Sequence, residues 1–152
     1  MITDLTKMSK EERSVLYLQS TYFNLHFNRS SRYRGVFNNL SPLFHNRDRE
    51  LWCIITNTAR ALKHRAVGMQ IPRSFTPYKD NPQGISHSRM VCLLDSLEKE
   101  GYFDFYRGGL LGMNEEDKMP SIYVPTKQYL SLWSGIDVSK EKSENPLLQE
   151  VS

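Results

Sequence analysis

An α+β fold is the class this sequence predicts, and three observations carry it. Helix-start signals occur early and late in the chain: Ser9-Lys10-Glu11-Glu12 has the capping-box form, and Ser86 opens a helical segment that Gly101 closes. After that glycine, Tyr102-Phe103-Asp104-Phe105-Tyr106 and Ser121-Ile122-Tyr123-Val124 are short aromatic and β-branched runs that read as a returning pair of strands. The 152 residues, 39% hydrophobic and 24% charged, suit one domain whose core is large enough to need no metal or disulfide staple.

The elements follow in order. Val15, Leu16, Leu18, Tyr22, Phe23 and Leu25 recur at helical spacing, which predicts an amphipathic helix over 10–27. Asn28 to Gly35 is a polar, basic loop, and Phe37, Leu40, Leu43 and Phe44 add a short helical turn at Pro42. Leu51, Trp52, Ile54, Ile55, Ala59 and Leu62 give the apolar face of a helix over 47–67, stopped by Gly68. Residues 69–85 hold Pro72, Pro77, Pro82 and Gly84 and read as irregular, with a short extended piece around Ser74 to Tyr78. In the helix 86–100, Met90, Val91, Leu93, Leu94 and Leu97 form one face; Ser88, Cys92, Asp95, Ser96 and Lys99 fall on or near the other, with Arg89 on a flank. Strands at 102–124 follow, with alternation turning Phe103 and Phe105 inward. Thr126 caps a short last helix with Tyr129, Leu130, Leu132 and Trp133, and residues 136–152 read as a flexible polar tail.

Charge is unevenly placed. The net charge of +3 divides into zero over residues 1–27, +8 over 28–90 and −5 over 91–152, and nine of the eleven central cations are arginine. A planar guanidinium makes bidentate contacts to phosphate and to guanine that a lysine cannot copy, so this footprint points to a polyanion partner. Arg60, Lys63, His64 and Arg65 also have a purely structural explanation, since cations favour the negative end of a helix.

The run ISHSRMVCLLDSLEKEGYFDFYRGG, followed by SIYVPT and a short helix, resembles the C-terminal half of a winged helix-turn-helix domain. The likeness covers residues 85–133 and is of the kind found in bacterial, plasmid and phage DNA-binding proteins, including replication initiators and compact transcriptional regulators. It implies one winged-helix domain over 1–135, with an extra N-terminal helix, a recognition helix over 86–100 and a two-stranded wing over 102–124. By that resemblance Ser86, His87, Ser88, Arg89 and Cys92 face base edges and phosphates in the major groove, and Arg107 at the wing reaches the neighbouring backbone. Arg29, Arg32, Arg34, Arg47, Arg49 and Arg65 then supply phosphate contacts, and six such contacts predict a log–log salt slope of about −5. The expected partner is double-stranded DNA, in transcription regulation or replication initiation. The N-terminal helix is the candidate element for a homodimer. The competing expectation is a phage or plasmid accessory module that binds a host protein, favoured by the acidic Glu115, Glu116 and Asp117 in the wing and by the prolines before the recognition helix. A third is single-strand binding through Tyr33, which stands between Arg32 and Arg34.

Other chemistries lack their residues. His26, His45, His64 and His87 have no zinc-ligand spacing with each other or with Cys53 and Cys92, so no metal or other cofactor is expected. Phosphate-binding glycine loops, a nucleophile elbow and a redox Cys pair are missing, and an enzyme is not expected. Two cysteines in apolar stretches, no apolar run of about 18 residues and no signal-like N-terminus predict a reducing cytoplasm and no membrane partner.

Overall fold

The structure is a computed structural model and describes residues 1–72, 84–110 and 118–138. The expected extended piece at Ser74–Tyr78, the acidic stretch Glu115–Asp117 and the tail from residue 139 lie outside the described residues. The fold is mixed α+β. Its strands are β1 (Ile2–Asp4), β2 (Ser20–Tyr22), β3 (Gly68–Ile71), β4 (Phe103–Arg107), β5 (Gly109–Leu110), β6 (Lys118–Met119) and β7 (Ser121–Pro125). Its α-helices are α1 (Lys10–Leu18), α2 (Arg34–Leu40), α3 (Asp48–Lys63), α4 (His87–Lys99) and α5 (Lys127–Leu130).

Five strands form one mixed sheet in the order β1-β4-β7-β3-β2, and β5 and β6 form a separate two-stranded ladder. The antiparallel pair β4–β7 has the register expected of a returning hairpin, with Phe105 opposite Tyr123. It is not an isolated two-stranded wing. On one side β1 pairs with β4 in parallel, Ile2 opposite Phe105, and on the other β3 pairs with β7 while β2 pairs with β3 in parallel. The hairpin is thus the middle of the sheet. Two three-residue strands, too short to carry a period of their own, hid this from the sequence.

The expected helix 10–27 ends at Leu18. Its start is as anticipated, with the full capping box between Ser9 and Glu12. Beyond it, Phe23, Leu25 and Phe27 are buried while Asn24, His26 and Asn28 are not, an alternation of period two that belongs to extended chain. That stretch lies along α3. Asn57 binds the Asn24 backbone from both sides, accepting from its N–H at 3.0 Å and donating to its carbonyl at 2.8 Å, and Thr56 Oγ1 accepts from Asn28 N–H at 3.4 Å.

Helix α3 is the central element and is shorter than the expected 47–67. Every residue from Glu50 to Ala59 is buried, because the helix is covered by α2, α4, β3 and the extended stretch 23–28. Its buried polar groups are paired: Thr58 Oγ1 donates to Ile54 O at 2.7 Å and shares a hydrogen bond of 2.9 Å with the Tyr129 hydroxyl. The helix is ended by Arg65, whose φ of +56° places it in the left-handed region, with Ala66 N–H returning to Ala61 O at 2.8 Å. Gly68, expected to stop the helix, instead begins β3. A Cβ there would stand 2.8 Å from the Tyr123 carbonyl oxygen, so only glycine lets β3 approach β7 this closely.

Helix α4 runs as anticipated. Ser86 Oγ accepts from Arg89 N–H at 3.2 Å, and Gly101 closes the turn with a φ of +82°. Met90, Leu93, Leu94 and Leu97 are buried, whereas Ser88, Arg89, Cys92, Asp95 and Lys99 are exposed. Tyr33 is a packing anchor rather than a surface ring, buried with its centroid 5.1 Å from that of Trp133.

Candidate functional site

The N-terminal ends of α3 and α4 lie side by side, and the residues at that junction build the site. Asn46, just before α3, adopts a φ of +60°, which asparagine tolerates better than most residues. Its carbonyl accepts from Arg89 Nη2 at 2.9 Å. Arg89 Nε donates to Glu50 Oε1 at 2.6 Å, so one guanidinium ties α4 to both the entry and the first turn of α3. Glu50 is almost fully buried, and Arg89 is about half exposed. Burying a carboxylate is costly unless a cation compensates it, and Arg89 is that cation. Arg47 spans the two helices in the opposite sense, donating to the Arg89 carbonyl at 3.2 Å and to Cys92 Sγ at 3.5 Å.

Beside this bracket opens a polar cleft of about 420 Å3 lined by Arg29, Asn46, Asp48, Arg49, Glu50, Gly84, Ile85 and Arg89. Arg29 and Arg49 also border a second, shallower hollow with Phe27 and Asn28. Arg29 arrives there because the period-two stretch ending at Phe27 is pinned along α3. Arg49 arrives because it occupies the exposed side of the first α3 turn. The positive pole of a helix repels cations and attracts anions, so Asp48 and Glu50 in that turn are explained by the helix alone and the arginines are not.

The sequence-predicted residues divide into four sets. Arg29, Arg47, Arg49, Ser86, Ser88 and Arg89 come together at the α3–α4 junction. Ser86 caps α4, with its Oγ 3.3 Å from Ser88 Oγ. His87 is engaged within the protein: its Nε2 meets the Pro72 carbonyl at 3.0 Å and anchors the chain that leaves β3. Arg32 and Arg34 are exposed on the 3-10 turn and first residue of α2, a short way along the chain from Arg29. Arg65 and Arg107 stand apart. Arg65 follows the far end of α3, about 24 Å from Arg49 at 1.5 Å per residue. Arg107 ends β4 opposite Asp4 of β1, with its guanidinium 6.0 Å from the Phe105 ring centroid.

Asn46, Asp48 and Glu50 are cleft residues that sequence reasoning passed over. Glu50 signals only a helix start in the sequence, because its partner Arg89 is 39 positions away. Among the described residues no group of three or more His, Cys, Asp or Glu could hold a metal ion, and no helix is long and apolar enough to cross a membrane. What the junction can do chemically is bind anions: guanidinium groups from a loop, from α3 and from α4 converge on one opening.

No protein-family model matches this chain, and no curated protein or solved structure does either.

Proposed function

We propose that the protein binds double-stranded DNA in a sequence-dependent way, in a transcriptional or replicative role, through a winged-helix-like use of α4. The observation that carries this reading is the exposed outer side of the α4 N-terminal half, Ser86, Ser88, Arg89 and Cys92, next to arginines that the helix dipole does not account for. Arg89 is held in a fixed direction by Glu50 and Asn46, which suits a side chain that must meet a base edge without losing rotamer freedom. Arg29, Arg32, Arg34 and Arg49 are the phosphate contacts of this reading, and Arg65 is not, given its distance.

Four phosphate contacts give a log–log salt slope of about −3.6, shallower than the −5 of six, and an affinity loss of roughly a hundredfold between 50 and 200 mM salt. Gel shifts on random and selected duplexes across that range test it. Absence of any salt-sensitive complex at micromolar protein removes the reading. Within it, Arg32→Ala weakens binding to all sequences alike, whereas loss of Arg89 narrows the gap between a selected and a scrambled site.

A protein-binding role, as a homodimer or with a host protein, is favoured by a different observation. Helix α1 has no buried residue; Val15 and Leu18 are exposed, as is Tyr22 on the edge strand β2, and an apolar groove runs between Met8, Val15, Leu16 and Tyr106. A concentration-dependent mass in solution that Leu18→Glu abolishes supports the homodimer.

A further inference from the structure

One corner of the sheet has a chemistry that neither the core nor the α3–α4 junction uses. Strands β2 and β3 run in parallel and begin together, Ser20 beside Gly68, and just ahead of them the Val67 N–H donates to the Gln19 carbonyl. Helix α1 ends at this point with Leu18, and α3 leads into it through His64 and Arg65. Leu18 is 85% exposed, Tyr22 78% and Val67 41%, and Val15 is exposed one turn back on α1. Large apolar side chains gathered in water at one place mark a surface that another molecule covers.

The charge at the corner says what that molecule carries. His64 and Arg65 are exposed, and among the described residues neither has an ion-pair partner. The chain from 13 to 47 and from 51 to 79, which includes both strand starts and both helix ends, holds no Asp or Glu. Arg65 has a φ of +56°, a conformation that glycine adopts without strain at the end of a helix. An arginine held in that form, with no ion pair inside the chain, points to a carboxylate outside it.

A second copy does not suit the corner, because a two-fold contact sets the same cations against each other. An anionic membrane suits it no better, since Glu11 and Glu12 are exposed about 10 Å back along α1. The Tyr22 carbonyl already accepts from Arg60 at 2.8 Å, so an added strand finds that edge group taken. We propose that the corner docks an acidic amphipathic helix of a partner protein, with apolar side chains on Leu18, Tyr22 and Val67 and a carboxylate on Arg65. This docking deepens the protein-binding reading of α1 and rests on it, giving the partner a stated charge.

Fluorescence anisotropy of labelled synthetic helices, titrated with the full chain, tests it. The probe is a peptide of about 18 residues with leucine at helical spacing and glutamate beside it. Its controls carry lysine for every glutamate or serine for every leucine. The expected result is saturation by the glutamate peptide with a Kd below about 100 μM, tighter than either control by about tenfold or more and weakening as salt rises. Leu18→Ser weakens it by about tenfold. Arg65→Gly weakens it by about fivefold while raising the melting temperature, so unfolding does not explain the loss. No saturation at about 1 mM, equal binding of the lysine peptide, or indifference to Arg65→Gly overturns the proposal. Binding to phosphatidylserine vesicles that both variants abolish assigns the corner to a membrane and also overturns it. A concentration-dependent mass that Leu18→Glu abolishes removes the acidic partner and keeps the protein-binding reading. A constant monomer mass beside null titrations removes both.

Discussion

At the C-terminal end of α3, Arg60 donates to the Tyr22 carbonyl at 2.8 Å and to Asn57 Oδ1 at 2.6 Å, so its charge holds β2 and the following chain to the helix. The helix dipole there is negative, and Arg60 and Lys63 complement it. At the N-terminal end, Arg47 and Arg49 sit where the dipole is positive, beside Asp48 and Glu50, and Arg49 borders an open cleft with Arg29 and Arg89. The cations at the first end are accounted for by the fold they serve. Those at the second work against the local field, and Arg47 and Arg89 are held there by the Arg89 carbonyl, Cys92, Glu50 and the Asn46 carbonyl instead of by the dipole. Counting arginines along the chain cannot separate these two uses; the direction of the helix beneath them does.

The contrast is broken most severely at Asn57. Its amide group accepts from Asn24 N–H and Arg60 and donates to the Asn24 and Cys53 carbonyls, so Asn57→Ala removes the side chain that pins the buried stretch 23–28 to α3 and costs about 3 kcal/mol in urea unfolding. Next is Arg89→Ala, which strands the buried Glu50 carboxylate at a cost of about 2 kcal/mol, reduced by the half-exposure of Arg89. Adding Glu50→Gln recovers most of that stability and none of the discrimination between DNA sites; recovery of both would make Arg89 purely structural. Arg49→Ala is expected to weaken DNA binding by about tenfold, or 1.4 kcal/mol. The matching change at the other end, Arg65→Gly, relieves a left-handed residue, stabilises by about 0.5 kcal/mol and leaves DNA affinity as it was.

The weakest effect under ordinary conditions is that of pH on the C-terminal half. Burial pushes the Tyr129 hydroxyl from its ordinary 10.0 up to about 12. The unfolded chain therefore releases this proton first, so the contribution of Tyr129 is intact below pH 10 and is lost as pH rises from 10 toward 12. Thermal unfolding of Tyr129→Phe should show a shallower fall over that interval and no difference in slope at pH 7.

The sequence spoke clearly wherever a period or a cap was long enough to register. Ser9, Ser86, Gly101 and Thr126 mark real helix boundaries, and the buried face of α4 follows from Met90, Leu93, Leu94 and Leu97. It misled where two periods overlap, since Tyr22, Phe23 and Leu25 extend the spacing of α1 while Phe23, Leu25 and Phe27 belong to an extended stretch. Ile2–Asp4 and Ser20–Tyr22 gave no warning, because three residues do not reveal an alternation and their pairing depends on strands far along the chain. Of the site, the arginines and serines were visible as residue types. The bracket among Asn46, Glu50 and Arg89 was not, because a buried ion pair between distant positions leaves no mark on local composition.

The parallel pairing of β1 has a consequence for how the chain is made. The partners of Ile2 and Thr3, Phe105 and Tyr106, are synthesised about a hundred residues after them. β1 waits for all the intervening chain to be made before it can dock as an edge of the sheet. Contacts this far apart in sequence close slowly, so the β1 edge cannot begin to assemble until β4 has been made.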